Sequence, residues 1–277
     1  MPAAPTSTAS WPLPPFLRAS VGWHAGMATA ALLAPGLAGW ALGGIVLNHA
    51  AITAAGLLPR SRLLGTNLTR LPEAATARGE LALTFDDGPE PAVTPQVLDL
   101  LDAAGQRATF FCIADRVLRH PALAREIVAR GHALQNHTAR HRHDFAFLGP
   151  RAYAAEIGRA QAIVQDVTGT TPTCFRAPAG LRNPFLAPVL HRMGLVLVSW
   201  TRRGFDTRSQ PAAALQAKLE RRLAACDILL LHDGHAGRSP DGQPLVLAVL
   251  PGLLAACAAR QLRSVTLPQA LSAPIGT

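Results

Sequence analysis

The sequence predicts an α/β protein whose main domain is a barrel of seven or eight β/α units, preceded by a hydrophobic helical hairpin. After Pro72, strand-like and helix-like segments alternate over about 200 residues. The strand-like segments are short and apolar on both faces, which is typical of a parallel sheet covered by helices. Residues 19–59 contain no Asp, Glu, Lys or Arg, and this stretch predicts the hairpin.

The hairpin comes first along the chain. As one continuous helix, residues 19–59 would be roughly 60 Å long, about twice the thickness of a bilayer core, so two passes fit better than one. Pro35 and Gly36 stand where the two helices would turn. We predict a flexible N-terminus (1–17), a membrane-anchoring region (18–60) and a linker (61–77). A signal peptide is the alternative, although its apolar core is usually only ~7 to 15 residues long.

The β/α units follow from residue 78 to residue 270. Strands are predicted at 80–85, 108–113, 133–136, 174–176, 195–200, 228–232 and 264–267. Helices with apolar residues at three-to-four spacing are predicted at 94–104, 115–130, 151–168, 184–193, 211–225 and 245–260. In a barrel of this kind, the chemistry lies at the carboxyl ends of the strands.

Composition excludes several classes of function. The net charge is +9, but the chain has a single lysine, Lys218, and its arginines are scattered rather than clustered. We therefore expect no nucleic-acid partner. No protein partner can be inferred from the sequence. The four cysteines are widely spaced and form no CxxC pair, so no disulfide framework is predicted.

Two adjacent carboxylates, Asp86 and Asp87, follow the first strand and precede a Gly-Pro turn. Burying two like charges costs several kcal/mol unless a positive charge compensates, and a metal ion is the obvious one. His137 and His141 supply two imidazoles four residues apart, and one Asp with two His makes an open metal site. Alone, the Asp pair would more often form a cap and turn, and the His pair a surface or core feature.

Three further strand ends carry polar residues that a core would not select. Arg176 stands before a Pro-Ala-Gly loop, Asp206 follows Trp200 by six residues, and His232 ends the apolar run Leu229–Leu231. Each signal is weak alone, because a lone His at a strand end is more often a structural residue. Their convergence on one edge of the predicted barrel favours an active site.

Taken in order, these segments resemble the motifs of the polysaccharide deacetylases of the NodB-homology type, carbohydrate esterase family 4, over residues 78–270. Thr-Phe-Asp-Asp-Gly-Pro matches the first motif of that family, His-Thr-x-x-His the second, Arg-x-Pro the third and Leu-x-His the last. The resemblance implies a distorted (β/α) barrel with one divalent metal ion, commonly zinc, with cobalt or another divalent ion as alternatives. By the same resemblance, Asp87, His137 and His141 hold that ion.

The resemblance also implies a division of catalytic roles. Asp86 is the general base, which takes a proton from the water held by the metal, and His232 is the general acid for the departing amine. Arg176 orients the base, and Asp206 supports the catalytic His. A backbone N–H at Ala179 would stabilise the oxyanion.

The sequence departs from the family pattern at two places. The family usually has an aromatic residue at the position of Ala179, so the N–H is kept but a ring that could contact sugar is missing. The family's tryptophan after the supporting Asp is Thr207 here. We assign His143 to the rim, His235 to a loop at the mouth and Asp233 to a cap of the following turn, outside the catalytic set.

These observations predict a metal-dependent hydrolase of carbon–nitrogen bonds in non-peptide amides, which deacetylates N-acetylated amino sugars of a polysaccharide or lipid-linked glycan. The partners are that N-acylated glycan or glycolipid and the membrane, of bacterial inner-membrane type. Arg18 and Arg60 flank the hairpin and favour cytoplasmic ends, whereas wall-modifying relatives point outward. The alternatives are a catalytically silent glycan-binding barrel and a metal-dependent phosphodiesterase, which would need a second metal site.

Overall fold

A computed structural model describes residues 11–272, and these residues divide into two units. The smaller unit comprises residues 11–67, Arg142–Ala154 and Ala177–Leu197, and the larger comprises Leu68–His141, Ala155–Arg176 and residues 198–272. Residues 1–10 of the predicted flexible N-terminus lie outside the described residues, and residues 15–17 of that segment are helical. The predicted linker ends in a short helix.

The predicted helical hairpin is present in the smaller unit. Helix α1 spans Pro15–Leu33, a 3₁₀ turn spans Pro35–Leu37 and helix α2 spans Ala38–Leu57. The two helices run antiparallel: the Trp23 indole N–H donates to the Gly44 carbonyl at 3.0 Å, and the Asn48 amide donates to the Ser20 hydroxyl at 2.6 Å. The helix break falls at Pro35 because proline lacks the N–H that a continuing helix needs.

Large apolar side chains of the hairpin are exposed. Trp40 is 81% exposed and Leu47 is 70% exposed. Within residues 11–272, the stretch Pro35–Leu57 alone is long and apolar enough to cross a membrane. The membrane anchor and its number of passes stay predictions.

The other helices and strands alternate as expected. The strands are β1 Glu80–Asp86, β2 Ala108–Cys112, β3 Ala133–Asn136, β4 Cys174–Phe175, β5 Val196–Leu197, β6 Arg202–Arg203, β7 Ile228–His232 and β8 Arg263–Ser264. The helices are α3 Ala74–Ala77, α4 Thr94–Ala103, α5 Ala114–Arg119, α6 Pro121–Ala129, α7 Pro150–Thr168, α8 Leu186–Arg192, α9 Ala212–Glu220, α10 Leu245–Ala259 and α11 Leu267–Ser272.

The sheet of the larger unit is parallel and curved into a half-barrel, which confirms the predicted fold class. Its strand order is β4-β3-β2-β1-β7-β6, and β8 pairs with the first residues of β1. In this register Asp86 of β1 lies beside Phe111 of β2 and His232 of β7. The carboxyl ends of the three central strands therefore meet at one level.

Strand alternation separates a core from an inner face. Leu81, Leu83 and Phe85 of β1 belong to the cluster packed beneath the helices. Ala82 belongs to the cluster on the other side of the sheet. Because side chains alternate along a strand, Asp86 shares the inner face with Ala82, and this face is where the polar residues collect.

Three details of the predicted elements are corrected. The helix expected at 115–130 is two helices, α5 and α6, because Pro121 begins a new one. The strand expected at 195–200 is ladder-paired only at Val196–Leu197. A strand at Arg202–Arg203 was not predicted, because neither residue is apolar. All four cysteines are free and buried, as expected without a disulfide framework.

Candidate active site

The residues after β1 and β3 adopt unusual backbone conformations. Asp87, Thr138 and His141 have φ angles of 71°, 68° and 52°, which are in the left-handed region that non-glycine residues rarely enter. The turn after β3 is held by side chains: the Thr138 N–H donates to the Asn136 side-chain oxygen at 2.9 Å, and the His141 N–H donates to the Thr138 hydroxyl at 2.9 Å. Such strain concentrates at functional sites.

Asp87, His137 and His141 converge as the sequence predicts. Oδ1 of Asp87 lies 3.3 Å from Nε2 of His137 and 3.2 Å from Nε2 of His141. This Oδ1 atom is buried and has no hydrogen-bond partner among the described residues. A buried carboxylate oxygen without a donor, facing two imidazole nitrogens, is the donor set of a divalent metal ion such as zinc. These side chains therefore fit the metal that the family implies.

Neighbouring groups prepare the imidazole of His137 for metal binding. Its Nδ1 lies 2.8 Å from the carbonyl oxygen of Arg176, and a carbonyl can only accept a hydrogen bond. Nδ1 therefore carries a proton, so in the neutral form of the ring Nε2 presents its lone pair toward Asp87. This arrangement is the usual outer support of a metal-binding histidine.

The electrostatics of the cluster favour an ionised carboxylate with a neutral His141. Burial alone would raise the pKa of Asp87, but the adjacent imidazole of His137, the hydrogen bond from His235 and nearby imidazole charge hold that pKa well below its usual range. Burial, together with charge on His137, lowers the pKa of His141 to about 4. Burial also acts against a charged His137, yet the carboxylates of Asp86 and Asp87 raise its pKa.

Asp86 is held by a fully buried arginine. Arg176 is 0% exposed, and its Nη1 donates to Oδ1 of Asp86 at 2.7 Å and to the Thr84 hydroxyl at 2.8 Å. Its remaining N–H groups donate to the Val198 and Ser199 carbonyls at 3.3 Å and 2.9 Å. Because Oδ1 is occupied, the other oxygen of Asp86 is left facing His137, 3.9 Å from Nε2.

His232 is paired with Asp206, as predicted. Oδ1 of Asp206 lies 2.9 Å from Nδ1 of His232, and Oδ2 accepts the backbone N–H of His232 at 2.7 Å. Asp206 is fully buried. Burial acts to lower the pKa of His232, but Asp206 and the charges of Asp86 and Asp87 raise it. The Nδ1 bond leaves Nε2 as the ring nitrogen available for proton transfer.

His235 contacts Asp87, one of the three candidate metal ligands. We assigned it only to a loop at the mouth of the site, and this contact corrects that assignment. Its Nδ1 lies 3.2 Å from Oδ2 of Asp87, and its Nε2 lies 2.8 Å from Nη2 of Arg116. Arginine can only donate, so Nε2 accepts and Nδ1–H donates to Asp87. Oδ2 of Asp87 is thereby occupied, whereas Oδ1 has no hydrogen-bond partner among the described residues. One feature of the sequence pointed to this contact: His235 follows His232 by only three residues.

Asp233 contacts the turn after β1 and the start of α4 instead of capping the turn that follows it. Its side chain is fully buried, and its Oδ2 accepts the Thr94 hydroxyl at 2.6 Å. A Cβ added to Gly88 would collide with this carboxylate. Gly88 is therefore required by the close approach of the turn after β1 to Asp233.

Two other predicted positions lie in the smaller unit. Ala179 is in the 3₁₀ turn Pro178–Gly180 with a φ of 53°, and within the described residues its N–H forms no hydrogen bond. His143 is exposed, and its assignment to the rim stays a prediction. The oxyanion role of Ala179 stays a prediction.

Comparisons with known proteins agree with this geometry. The sequence model of the family described as Polysaccharide deacetylase matches residues 73–198. A peptidoglycan-N-acetylglucosamine deacetylase of Bacillus cereus is 33% identical over 183 residues, which cover 62% of this chain and 81% of that protein. A chitooligosaccharide deacetylase of Sinorhizobium fredii is 34% identical over 171 residues, which cover 60% of this chain and 78% of that protein.

A solved structure is similar over most of its length. The family 4 acetyl xylan esterase from Clostridium thermocellum, in complex with a cobalt ion, superposes with a TM-score of 0.60 and 31% identity, covering 70% of this chain and 90% of that one. The fold, the strand-end residues and these relatives define a carbohydrate-active hydrolase. The chain belongs to the polysaccharide deacetylase family. The predicted enzyme class, a glycan N-deacetylase, is thereby confirmed.

Proposed function

We propose that this protein removes the acyl group from an N-acylated amino sugar by metal-assisted hydrolysis. The single observation that carries the proposal is the convergence of Asp87, His137 and His141 beside two separately held groups, Asp86 and His232. The relatives that act on N-acetylglucosamine in peptidoglycan or on chitooligosaccharides support a glycan substrate. One acid and one base near a group of candidate metal ligands suit hydrolysis of an amide.

The metal would be held by Asp87, His137 and His141. We propose zinc, because one carboxylate and two imidazoles are typical ligands of a catalytic zinc; cobalt is the first alternative. When bound, a divalent cation polarises a carbonyl oxygen and lowers the pKa of water. Ionised Asp87 and the lone pair of His137 Nε2 meet the requirement that the ligands be deprotonated.

The chain's own residues would transfer the protons. The free oxygen of Asp86 takes a proton from the attacking water while the oxygen of that water bonds to the acyl carbon. Nε2–H of His232 then gives its proton to the nitrogen as the carbon–nitrogen bond breaks. The products are a free amine and a carboxylic acid, which ionises to the carboxylate by releasing its proton to solvent. Arg176 orients Asp86, and Asp206 aligns His232 and raises its pKa. The free N–H of Ala179 is the proposed donor to the oxyanion.

We further propose that residues 18–60 anchor the enzyme to a bacterial-type cell membrane, with the deacetylase domain at 78–270. The exposed apolar side chains of α1 and α2 support this anchor. A membrane enzyme whose Ala179 lacks an aromatic ring suits a sugar presented near the bilayer, so a lipid-linked glycan is the preferred substrate and a polymer the alternative. A reporter fused after Thr277 would determine which side of the membrane the domain faces.

The direct test is release of acid from defined substrates. Purified full-length protein in detergent, loaded with zinc or cobalt, is expected to release acetate or formate from N-acylated sugar polymers, oligomers or lipids. Protein that binds the metal but releases no acid from any of these substrates contradicts the proposal. Mass spectrometry of cell glycans with and without the gene would identify the natural substrate.

The two alternatives make different predictions. A phosphodiesterase requires a second metal centre, and among the described residues one group of three or more candidate ligands is present. A silent glycan-binding barrel requires neither Asp86 nor His232. The elaborate support of both residues, by Arg176 and Asp206 respectively, favours the enzyme.

A further inference from the structure

Arg203 is a polar residue on the inner face of the half-barrel that the mechanism above does not use. It lies on β6, where it pairs with Leu230 of β7, and Leu230 belongs to the inner cluster. Paired residues of neighbouring parallel strands point to the same face, so Arg203 faces the interior. His232 follows Leu230 by two residues on the same face. Arg203 therefore lies on the same inner face as His232, the proposed general acid, and beside the residue two positions before it on β7.

The guanidinium of Arg203 is half-buried and lacks the partners that neighbouring arginines have. Within residues 11–272 it forms no ion pair, and its Nε is buried without a hydrogen-bond partner. By contrast, Arg202 pairs with Asp227 at 2.5 Å, and Arg176 donates to Asp86 at 2.7 Å. A buried polar group without a partner is rare and costly, and a ligand is one explanation for it.

Two aromatic rings hold Arg203 instead. Its guanidinium carbon lies 5.2 Å from the centre of the Trp200 ring and 4.8 Å from the centre of the Phe205 ring. Phe205 is 45% exposed, so this end of the inner face is open to solvent. Rings contact the flat faces of a guanidinium and leave its N–H edges free. Those edges match the two oxygens of a phosphate or carboxylate.

The nearby carboxylates do not require Arg203 for charge balance. Asp86 is paired with Arg176, Asp206 with His232, and Asp87 faces the two imidazoles of the metal site. Burial lowers the pKa of Arg203, while the distributed charges of Asp86 and Asp206 act against that effect. Because Asp86 and Asp206 each have a nearer partner, the positive charge of Arg203 is not needed to pair with either carboxylate.

We propose that Arg203, framed by Trp200 and Phe205, binds an oxyanion carried by the N-acylated sugar next to the amide that is hydrolysed. The enzyme would thereby select anionic amino sugars over neutral ones. The proposal rests on the deacetylase function proposed above and deepens it by naming the substrate class. A phosphate on a lipid-linked sugar and a carboxylate on an acidic sugar offer the same chemistry, and the experiment below separates them.

The test compares kcat/KM for three substrates: a neutral N-acetylglucosamine oligosaccharide, an N-acetylglucosamine glycan bearing a phosphate, and one bearing a carboxylate. Arg203→Ala in the full chain is expected to lower kcat/KM for the anionic substrate about 10- to 100-fold more than for the neutral one. Arg203→Lys keeps the charge but cannot form the paired hydrogen bonds of a guanidinium, so we expect an intermediate loss of kcat/KM for the anionic substrate. Whichever anionic substrate shows the selective loss identifies the source of the oxyanion.

Arg125→Ala is the matched control, because Arg125 is an exposed arginine on α6. It removes the same charge and should leave all three kcat/KM values unchanged. Equal losses for neutral and anionic substrates in Arg203→Ala, or no loss for either, would overturn the proposal.

An equilibrium measurement separates this proposal from the proposed function. N-acetylglucosamine 1-phosphate binding is measured by calorimetry in the metal-loaded wild-type chain and in Arg203→Ala. A roughly 10-fold weaker binding in Arg203→Ala supports the oxyanion site even where no substrate is turned over, in which case only the deacetylase function fails. Identical binding in the two proteins, both of this phosphate and of an N-acetylglucosamine derivative that bears a carboxylate, refutes the site whether or not the chain is a deacetylase.

Discussion

At the scale of single residues, the site is defined by side chains that are each held by a dedicated partner. Asp86 has Arg176, His232 has Asp206, and His137 has the carbonyl of Arg176. The left-handed φ of Asp87 costs about 1–3 kcal/mol, which persists only where surrounding contacts fix the conformation. This pattern of strain and support is typical of preorganised catalysis.

His235→Ala is expected to weaken metal binding by about 10- to 100-fold, because Asp87 loses the donor that fixes its Oδ2. Competition with a chelator of known affinity measures the change. His143→Ala is the matched control, because it also removes an imidazole, but one that is exposed and is not assigned to the site. Equal metal affinity in His235→Ala and His143→Ala would show that His235 does not support the ligand.

Asp206→Asn is expected to move the alkaline fall of kcat to lower pH. His232 donates a proton only below its pKa, and Asp206 is the charge in contact with it that raises this pKa. Removing the charge lowers the pKa, so the acid form is lost at lower pH. The pH profile of kcat measures the shift. Asp166→Asn is the control, because it makes the same carboxylate-to-amide change at an exposed position. An unmoved alkaline limb in Asp206→Asn would contradict the role of His232.

The ligand residues could be predicted because they interrupt apolar strands with charge. Asp86 and Asp87 end a strand of apolar residues, which core packing does not explain. His235 could not be assigned in the same way, because its contact with Asp87 depends on how the loop after β7 folds. The residues around Arg203 do not alternate between apolar and polar. The sequence therefore predicts neither a strand there nor an inward-facing Arg203 side chain.

At the scale of elements, the turn after β1 joins the metal site to the neighbouring strand. Gly88 packs against the carboxylate of Asp233, which the Thr94 hydroxyl holds in place. Thr94 in turn begins α4 and accepts the Glu90 N–H at 2.7 Å. The start of this helix, the turn and the end of β7 are thus linked by one small polar network.

Gly88→Ala is expected to lower the free energy of unfolding by about 1–3 kcal/mol, because the new methyl group must displace the Asp233 carboxylate. Chemical denaturation in detergent measures the loss. In Gly149→Ala, the control, the added methyl group meets open space and should change stability little. Equal stability of the two variants would mean that the turn relaxes freely.

Element boundaries show where sequence periodicity is informative. The long strands β1, β2 and β7 were predicted nearly to the residue, because each is a continuous apolar run. Pairing at the edges depends on neighbours rather than on composition, so the strand predicted at 195–200 is short. The helix break before Pro121 follows from proline chemistry, whereas the apolar periodicity of residues 115–130 continues across it and predicts one helix.

At the scale of the whole molecule, the chain combines a hydrolase domain with a hydrophobic hairpin. The sequence predicted both parts, because the hairpin lacks charge and the domain alternates strands with helices. The hairpin exposes Trp40 and Leu47, which water would disfavour. The proposed resolution is burial of these side chains in lipid.

Leu47→Arg is expected to reduce the membrane-bound fraction, because an arginine near the middle of a spanning helix costs about 2.5–3.5 kcal/mol on insertion. Fractionation of cells after an alkaline carbonate wash measures this fraction. Leu47→Ala keeps the helix apolar and should stay in the membrane pellet. A wild-type chain that washes off completely would contradict the anchor.

We propose that the adjacent carboxylates have different roles: Asp87 holds a divalent ion, and Asp86 takes a proton from water. The most direct measurement is bound metal per chain together with turnover, in Asp86→Asn and Asp87→Asn. We predict that Asp86→Asn retains the ion and loses about 10²- to 10⁴-fold in kcat, whereas Asp87→Asn loses both ion and turnover. Wild-type metal content in Asp87→Asn, or wild-type turnover in Asp86→Asn, would contradict the account.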